Sequence, residues 1–259
     1  MPWFEDNTSR IYYEEQGRGV PVLVLPGFGG SITEFAPLRD ALAPHYRVIA
    51  ADLPGSGRSE PQPRAYTPTY YADDVRSFTA LLDHLQAESA HLIGFSDGGE
   101  VALLMAEVAP ARVRSLAVWG AAASVPESMG PVLDWLAVSV DTPDDPFGTY
   151  LRATYGEANA RTTVQNLVQA LRGIMDSGGD ISRSGLGEIR CPVLFIAGEH
   201  DFAAPPAYAS ELAAHIPIAE VRQVKGAGHG VHQEQAEWLV QTIREWLDRH
   251  ATLTAEASN

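Results

Sequence analysis

Ser96 stands in the pentapeptide Gly94-Phe95-Ser96-Asp97-Gly98, after the apolar stretch Ala90-His91-Leu92-Ile93 and before a helix-like run from Glu100 to Val108. A serine set between strand and helix sits on a tight turn, its hydroxyl raised above the sheet edge. Glycines two residues to either side leave room for the neighbouring backbone. Ser96 is therefore a candidate nucleophile. Its hydroxyl attacks a carbonyl only when a base takes the proton and a third group orients that base. His229, in Gly226-Ala227-Gly228-His229-Gly230, is the candidate base. Asp201, in Gly198-Glu199-His200-Asp201, is the candidate acid, with Glu199 on the same turn as the fallback. His232 reads as a helix-start or supporting residue, and His200 as a loop residue beside the acid.

Acyl transfer also needs two N–H groups aimed at the developing oxyanion. One is expected from the backbone of Asp97, directly after the nucleophile. The other is expected from Phe28 in the loop Pro26-Gly27-Phe28-Gly29-Gly30, with its ring facing the pocket and Gly27 allowing close approach of substrate. The Asp97 side chain, directly after the serine, is a candidate clue to substrate, set against the plainer reading of a carboxylate favoured near a helix start. Trp119, Trp135, Tyr150 and Tyr155 are candidates for lining the pocket, against the plainer reading that they only pack. Asp52 is expected to bond the Gly55-to-Ser59 turn.

These residues lie far apart in sequence, so the elements must gather them. Val22–Leu25 and Arg47–Ala51 are short apolar runs, as expected of strands buried on both faces. Leu92–Ile93, Leu116–Trp119 and Val193–Ala197 also read as strands. Arg10–Glu14 and Glu220–Gln223 add two more. Helical spacing marks Phe35 to Leu42, Asp73 to Leu85 (Val75, Phe78, Leu81, Leu82 and Leu85 on one stripe), Ala207 to His215 and Gln235 to Arg249. The alternation predicts an α/β fold, a mostly parallel, doubly wound sheet with helices on both faces. Ser96, Asp201 and His229 each follow a strand, which brings them to one sheet edge, where open parallel sheets bind ligands. Residues 122–187 break the alternation with a helical, loop-rich pattern, read as a cap inserted between core segments 1–121 and 188–251. Residues 252–259 read as a fraying tail.

Composition narrows the function. At 259 residues, 45% hydrophobic and 20% charged, the chain can bury a full core. A formal net charge of −15 with no basic run disfavours nucleic acid and anionic membranes. Cys191 is alone and precedes an apolar strand, so it reads as a buried small hydrophobe. No signal peptide or membrane-length apolar stretch is visible, which points to a cytoplasmic protein. No metal-ligand spacing or dinucleotide fingerprint appears, so neither metal nor cofactor is expected.

Taken together, the chain order Ser-Asp-His, the Gly-rich loop and Asp52-Leu53-Pro54-Gly55-Ser56-Gly57-Arg58-Ser59 resemble the α/β-hydrolase superfamily over nearly the whole chain. Leu25-Pro26-Gly27, Gly94-Phe95-Ser96-Asp97-Gly98-Gly99, Val118-Trp119-Gly120-Ala121 and Cys191-Pro192 resemble more narrowly the valacyclovir hydrolase (biphenyl-hydrolase-like) family of serine hydrolases. Phe28 stands where that family has Met. The resemblance implies cleavage of α-amino acid esters, with Asp97 binding the substrate ammonium. The expected activity is a serine carboxylesterase acting on small-molecule esters as a monomer or weak homodimer. Lactone, amide or carbon–carbon bond hydrolysis and a hydrolase-fold ligand receptor are the alternatives.

Overall fold

The computed structural model describes residues 2–6 and 8–251, so the expected tail at 252–259 lies outside the described residues. The chain runs β1 (Trp3–Glu5), β2 (Arg10–Gln16), β3 (Pro21–Leu25), α1 (Ala36–Leu42), β4 (Arg47–Ala51), α2 (Tyr70–His84), β5 (Ala90–Phe95), α3 (Asp97–Val108) and β6 (Val113–Trp119). Then come α4 (Gly130–Ser139), α5 (Pro146–Tyr155), α6 (Glu157–Asp176), β7 (Val193–Gly198), α7 (Pro206–Ala213), β8 (Ala219–Val224), α8 (Val231–Glu234) and α9 (Ala236–His250). The strands form one sheet in the order β1-β2-β4-β3-β5-β6-β7-β8. From β4 to β8 all pairings are parallel; β2 meets β4, and β1 meets β2, antiparallel.

Alternation along the strands divides the core in two. Leu23, Leu25, Ile49, Leu92, Val118 and Phe195 pack on one face with α2, α3 and the 122–187 segment. Val22, Val24, Val48, Ile93, Leu194 and Ile196 pack on the other with α1 and α9. Parallel strands covered on both faces must be apolar throughout, which is why these runs carried so clear a signal.

Some boundaries differ from the sequence reading. Helix α3 starts at Asp97, not Glu100. Gly98 and Gly99 are poor helix formers, but close packing requires glycine at 98, where a Cβ would overlap the carbonyls of Leu25 and Pro26. Strand β1 escaped the sequence reading altogether. It is three residues long, and Trp3 faces Tyr12 of β2 while Arg10 lies 4.3 Å over the Trp3 ring. Ahead of α1, a 3-10 turn at Ile32–Phe35 is fixed by a capping box between Ser31 and Glu34. Residues 122–187 contain α4, α5 and α6 and no strand among the described residues, only one bridge between Ser124 and Asp180. None of the described helices is long and apolar enough to cross a membrane.

Candidate active site

The turn between β5 and α3 holds Ser96 at φ 52°, ψ −122°, a backbone state rare for a non-glycine residue. The surroundings enforce it. Ser96 N–H donates to the Trp119 carbonyl at 2.9 Å, and the Ser96 carbonyl accepts from Gly99 and Glu100. At Gly94 a side chain would overlap the backbone of Gly98 and Gly99. The two flanking glycines thus serve close packing of strand and helix around a strained serine.

The structure brings Ser96, Asp201 and His229 together. His229 Nε2 lies 3.3 Å from Ser96 Oγ, and Nδ1 lies 2.9 Å from both carboxylate oxygens of Asp201. Asp201 is buried, and its Oδ1 also accepts from the N–H groups of Ala203 and Ala204 at 2.9 Å. Glu199, the fallback acid, turns away and accepts from Gly226 N–H instead. Gly120, at φ +68°, makes room for the imidazole, since a Cβ there would come within 2.7 Å of His229 Cε1. An imidazole placed between a hydroxyl and a buried carboxylate can take the hydroxyl proton and be stabilised as it charges.

The Gly27–Gly30 loop abuts this hydroxyl. A Cβ on Gly27 would sit 3.0 Å from Ser96 Cβ. Neither Phe28 N–H nor Asp97 N–H donates to a protein acceptor among the described residues, and Asp97 is the first residue of its helix, where N–H groups have no intrahelical partner. Both amides are thus available to a ligand. Asp52 bonds the neighbouring turn as expected, with Oδ2 accepting from Arg58 N–H at 2.8 Å and Oδ1 from Ile32 N–H at 2.7 Å. Burial pushes its carboxyl up to about 6, against these two donors.

A cavity of about 730 Å³ opens over Ser96. Gly27, Phe28, Asp97, Trp135 and Tyr150 line it, together with Leu133, Leu136, Phe147, Leu167 and Leu171 of the 122–187 segment. Trp135 is held by a 2.9 Å bond from its indole N–H to Asp145 and packs against Phe202 of the Asp201 loop, ring centroids 5.4 Å apart. Among the described residues no Lys or Arg lines the cavity, whereas Glu34, Asp97, Glu100 and Glu234 do.

Trp119 does not line this cavity. It is the last residue of β6, and alternation turns its indole to the opposite sheet face from Val118. There it stacks on Phe95 (5.7 Å) and packs near Phe35 (6.0 Å). Tyr155 also misses the cavity lining and bonds the backbone of Gly29 and Gly57 instead.

Asp97 is buried, and its Oδ1 accepts from Tyr71 Oη at 2.8 Å while Tyr70 Oη lies 3.4 Å from Oδ2. Burial raises its pKa above the ordinary aspartate value; the tyrosine hydroxyls and the nearby Arg64 charge counteract this. Glu100, one helical turn on, accepts from Ala122 and Ala123 N–H at 2.7 and 2.9 Å. Burial first, and the Asp97 charge in addition, push its pKa up to about 8. Glu34 gathers another group: Ser31 N–H donates to Oε1 at 2.9 Å, Gln233 Nε2 lies 2.9 Å from Oε2, and buried His232 Nε2 lies 3.3 Å from Oε2. His232 stacks flat on Phe35, centroids 4.7 Å apart. Sequence reasoning passed over Glu34, Tyr71 and Glu100. Only Glu34 carried a local signal, the Ser-x-x-Glu box at 31–34.

Comparison with known proteins gives a consistent likeness. The model of the alpha/beta hydrolase family matches residues 22–242. The serine hydrolase BPHL of Mus musculus is 28% identical over 245 residues, covering 93% of this chain and 84% of the relative. A solved thermophilic esterase from Thermogutta terrifontis aligns with TM-score 0.75 and 26% identity over 93% of this chain and 94% of its own. The enol-lactonase from Burkholderia xenovorans LB400 shares the fold at TM-score 0.78, with 24% identity over 95% of this chain and all of its own.

Proposed function

The chain belongs to the alpha/beta hydrolase family, and from that footing we propose that it is a serine carboxylesterase working through an acyl-enzyme. The observation that carries this reading is His229 lying between Ser96 Oγ (3.3 Å) and the Asp201 carboxylate (2.9 Å). His229 takes the Ser96 proton as Oγ attacks the ester carbonyl, then returns it to the leaving alcohol. Asp201 orients the ring and stabilises the imidazolium. The N–H groups of Phe28 and Asp97 receive the oxyanion, each worth about 100-fold or more in kcat. Water, activated by His229, then cleaves the acyl-enzyme by the same route. Residues 122–187 act as a cap that closes the cavity over the ester and excludes bulk water.

The finer reading is a preference for α-amino acyl esters. It is supported by the Asp97 carboxylate in the cavity wall and by the absence of Lys or Arg among the lining residues. An anionic acyl group would meet the Asp97 carboxylate as a like charge, whereas an ammonium would pair with it. The mechanism is tested by incubation with a fluorophosphonate, followed by intact and peptide mass spectrometry. One adduct on Ser96 is expected. An unlabelled protein that still turns over ester, or an adduct elsewhere, would contradict it.

A further inference from the structure

Helix α5 presents Phe147, Leu151 and Tyr155 four residues apart, a spacing that aligns side chains along one helix face. All three meet the Phe28–Gly29 pair. The Phe147 and Phe28 ring centroids are 6.2 Å apart, and a Cβ on Gly29 would come within 2.6 Å of Leu151 Cδ2. Tyr155 Oη donates to the Gly29 carbonyl at 2.8 Å and accepts from Gly57 N–H at 2.7 Å. Burial raises the Tyr155 pKa well above the ordinary phenol value, so the hydroxyl keeps its proton to donate. On the other side of the same residue, Gly29 N–H donates to Ser56 Oγ at 3.2 Å. Gly29 is thus tied at both its donor and its acceptor, in a left-handed conformation at φ +67°.

The Gly29 carbonyl that Tyr155 holds belongs to the Gly29–Gly30 peptide, whose N–H donates to the Gly27 carbonyl at 3.1 Å. That carbonyl shares its peptide with Phe28 N–H, so fixing the Gly29–Gly30 peptide limits how the Phe28 amide can rotate. Hydrogen bonds to an oxyanion depend steeply on donor placement, and a misplacement of about 1 Å can cost about 100-fold. We propose that Tyr155 is a positioning residue for the oxyanion hole, holding the Phe28 N–H in place through Gly29. Helix α5 then sets transition-state geometry in addition to walling the cavity, and the hole is complete only while α5 is docked. The proposal rests on the reading that Phe28 N–H is one of the two oxyanion donors.

The test compares p-nitrophenyl acetate with its thiono counterpart, in which the carbonyl oxygen is sulfur, on wild type and Tyr155→Phe. Sulfur accepts hydrogen bonds poorly and its bond to carbon is longer, so an intact oxyanion hole discriminates against it. Wild type is expected to prefer the oxygen ester strongly. Tyr155→Phe is expected to lose at least about tenfold in kcat/KM on the oxygen ester and far less on the thiono ester, so the ratio collapses. A Tyr155→Phe protein that melts cooperatively and keeps the wild-type ratio overturns the positioning role, even if its activity is lower. A wild type with no preference removes the oxyanion hole itself and the proposal with it. If Tyr155→Phe does not melt cooperatively, Leu151→Val, which thins the contact on Gly29 without removing a hydrogen bond, is read by the same ratio.

Discussion

Tyr71 Oη donates to Asp97 Oδ1 at 2.8 Å, so the carboxylate following the candidate nucleophile is anchored from α2 and does not swing free. The anchor leaves Asp97 in the cavity wall and favours its charged form, against a burial that disfavours it. A helix-start carboxylate needing only the dipole would not require two tyrosine hydroxyls.

Asp97→Asn keeps the backbone N–H proposed for the oxyanion hole and removes only the charge. The preference for α-amino esters over their desamino counterparts should fall at least about tenfold, since a charge-assisted contact is worth a few kcal/mol. Turnover of the desamino esters should stay within about threefold of wild type. Measured kcat/KM for matched ester pairs decides it; an unchanged preference would remove the counter-ion role.

The same preference should depend on pH. Asp97 must be ionised to hold an ammonium, and burial raises its pKa above 3.8. The amino-ester advantage is therefore lost as pH falls through that raised value. Tyr71→Phe deletes a donor that lowers the pKa, so the loss should begin at higher pH. A midpoint that stays put, or moves down, would show that the Tyr71 bond does not tune Asp97.

Stability should also respond to pH through Glu100, whose pKa is raised from 4.5 to about 8. Between these values the folded chain binds more protons at this site than the unfolded chain, so its contribution falls as pH rises. Asp52, which burial raises from 3.8 to about 6, acts in the same direction between those values. Thermal melts from pH 5 to pH 8 should show a declining Tm, with a flatter decline in Glu100→Gln. Equal slopes for the two proteins would contradict the assignment to Glu100.

Trp119 serves as the control. Its indole packs between Phe35 and Phe95 on the far face of the sheet, so Trp119→Phe should cost about 1–3 kcal/mol of stability by leaving a cavity. KM for small esters should be unchanged. A KM shift larger than the loss of folded protein explains would return Trp119 to the substrate pocket.

Much of this site was legible because each part combines an apolar strand with a turn of restricted chemistry. Ser96, Asp201 and His229 all follow parallel strands, so their convergence followed from topology, although only β5 and β7 are buried on both faces and β8 is a half-exposed edge strand. Trp119 shows where that logic stops. A residue at the end of a strand lies beside the site in sequence, yet alternation decides its face, and a strand followed by Gly120 gives no local cue to the phase. The acidic wall was illegible for another reason. Tyr71 and Glu100 matter there through partners 26 and 22 residues away, as Tyr155 does outside that wall through a partner 126 residues away, and no periodicity encodes such pairings. Helix α3 was read three residues short because its first turn breaks the propensity rule to pack closely on β3.

The central claim is that Ser96 is the nucleophile, and steady-state hydrolysis of p-nitrophenyl acetate by Ser96→Ala tests it most directly. With the nucleophile gone, kcat should fall by at least about 1,000-fold while the melting temperature holds or rises, because alanine loses no packing and the strained turn is unchanged. Turnover within about tenfold of wild type, in a protein verified free of contaminating hydrolase, would contradict the acyl-enzyme mechanism.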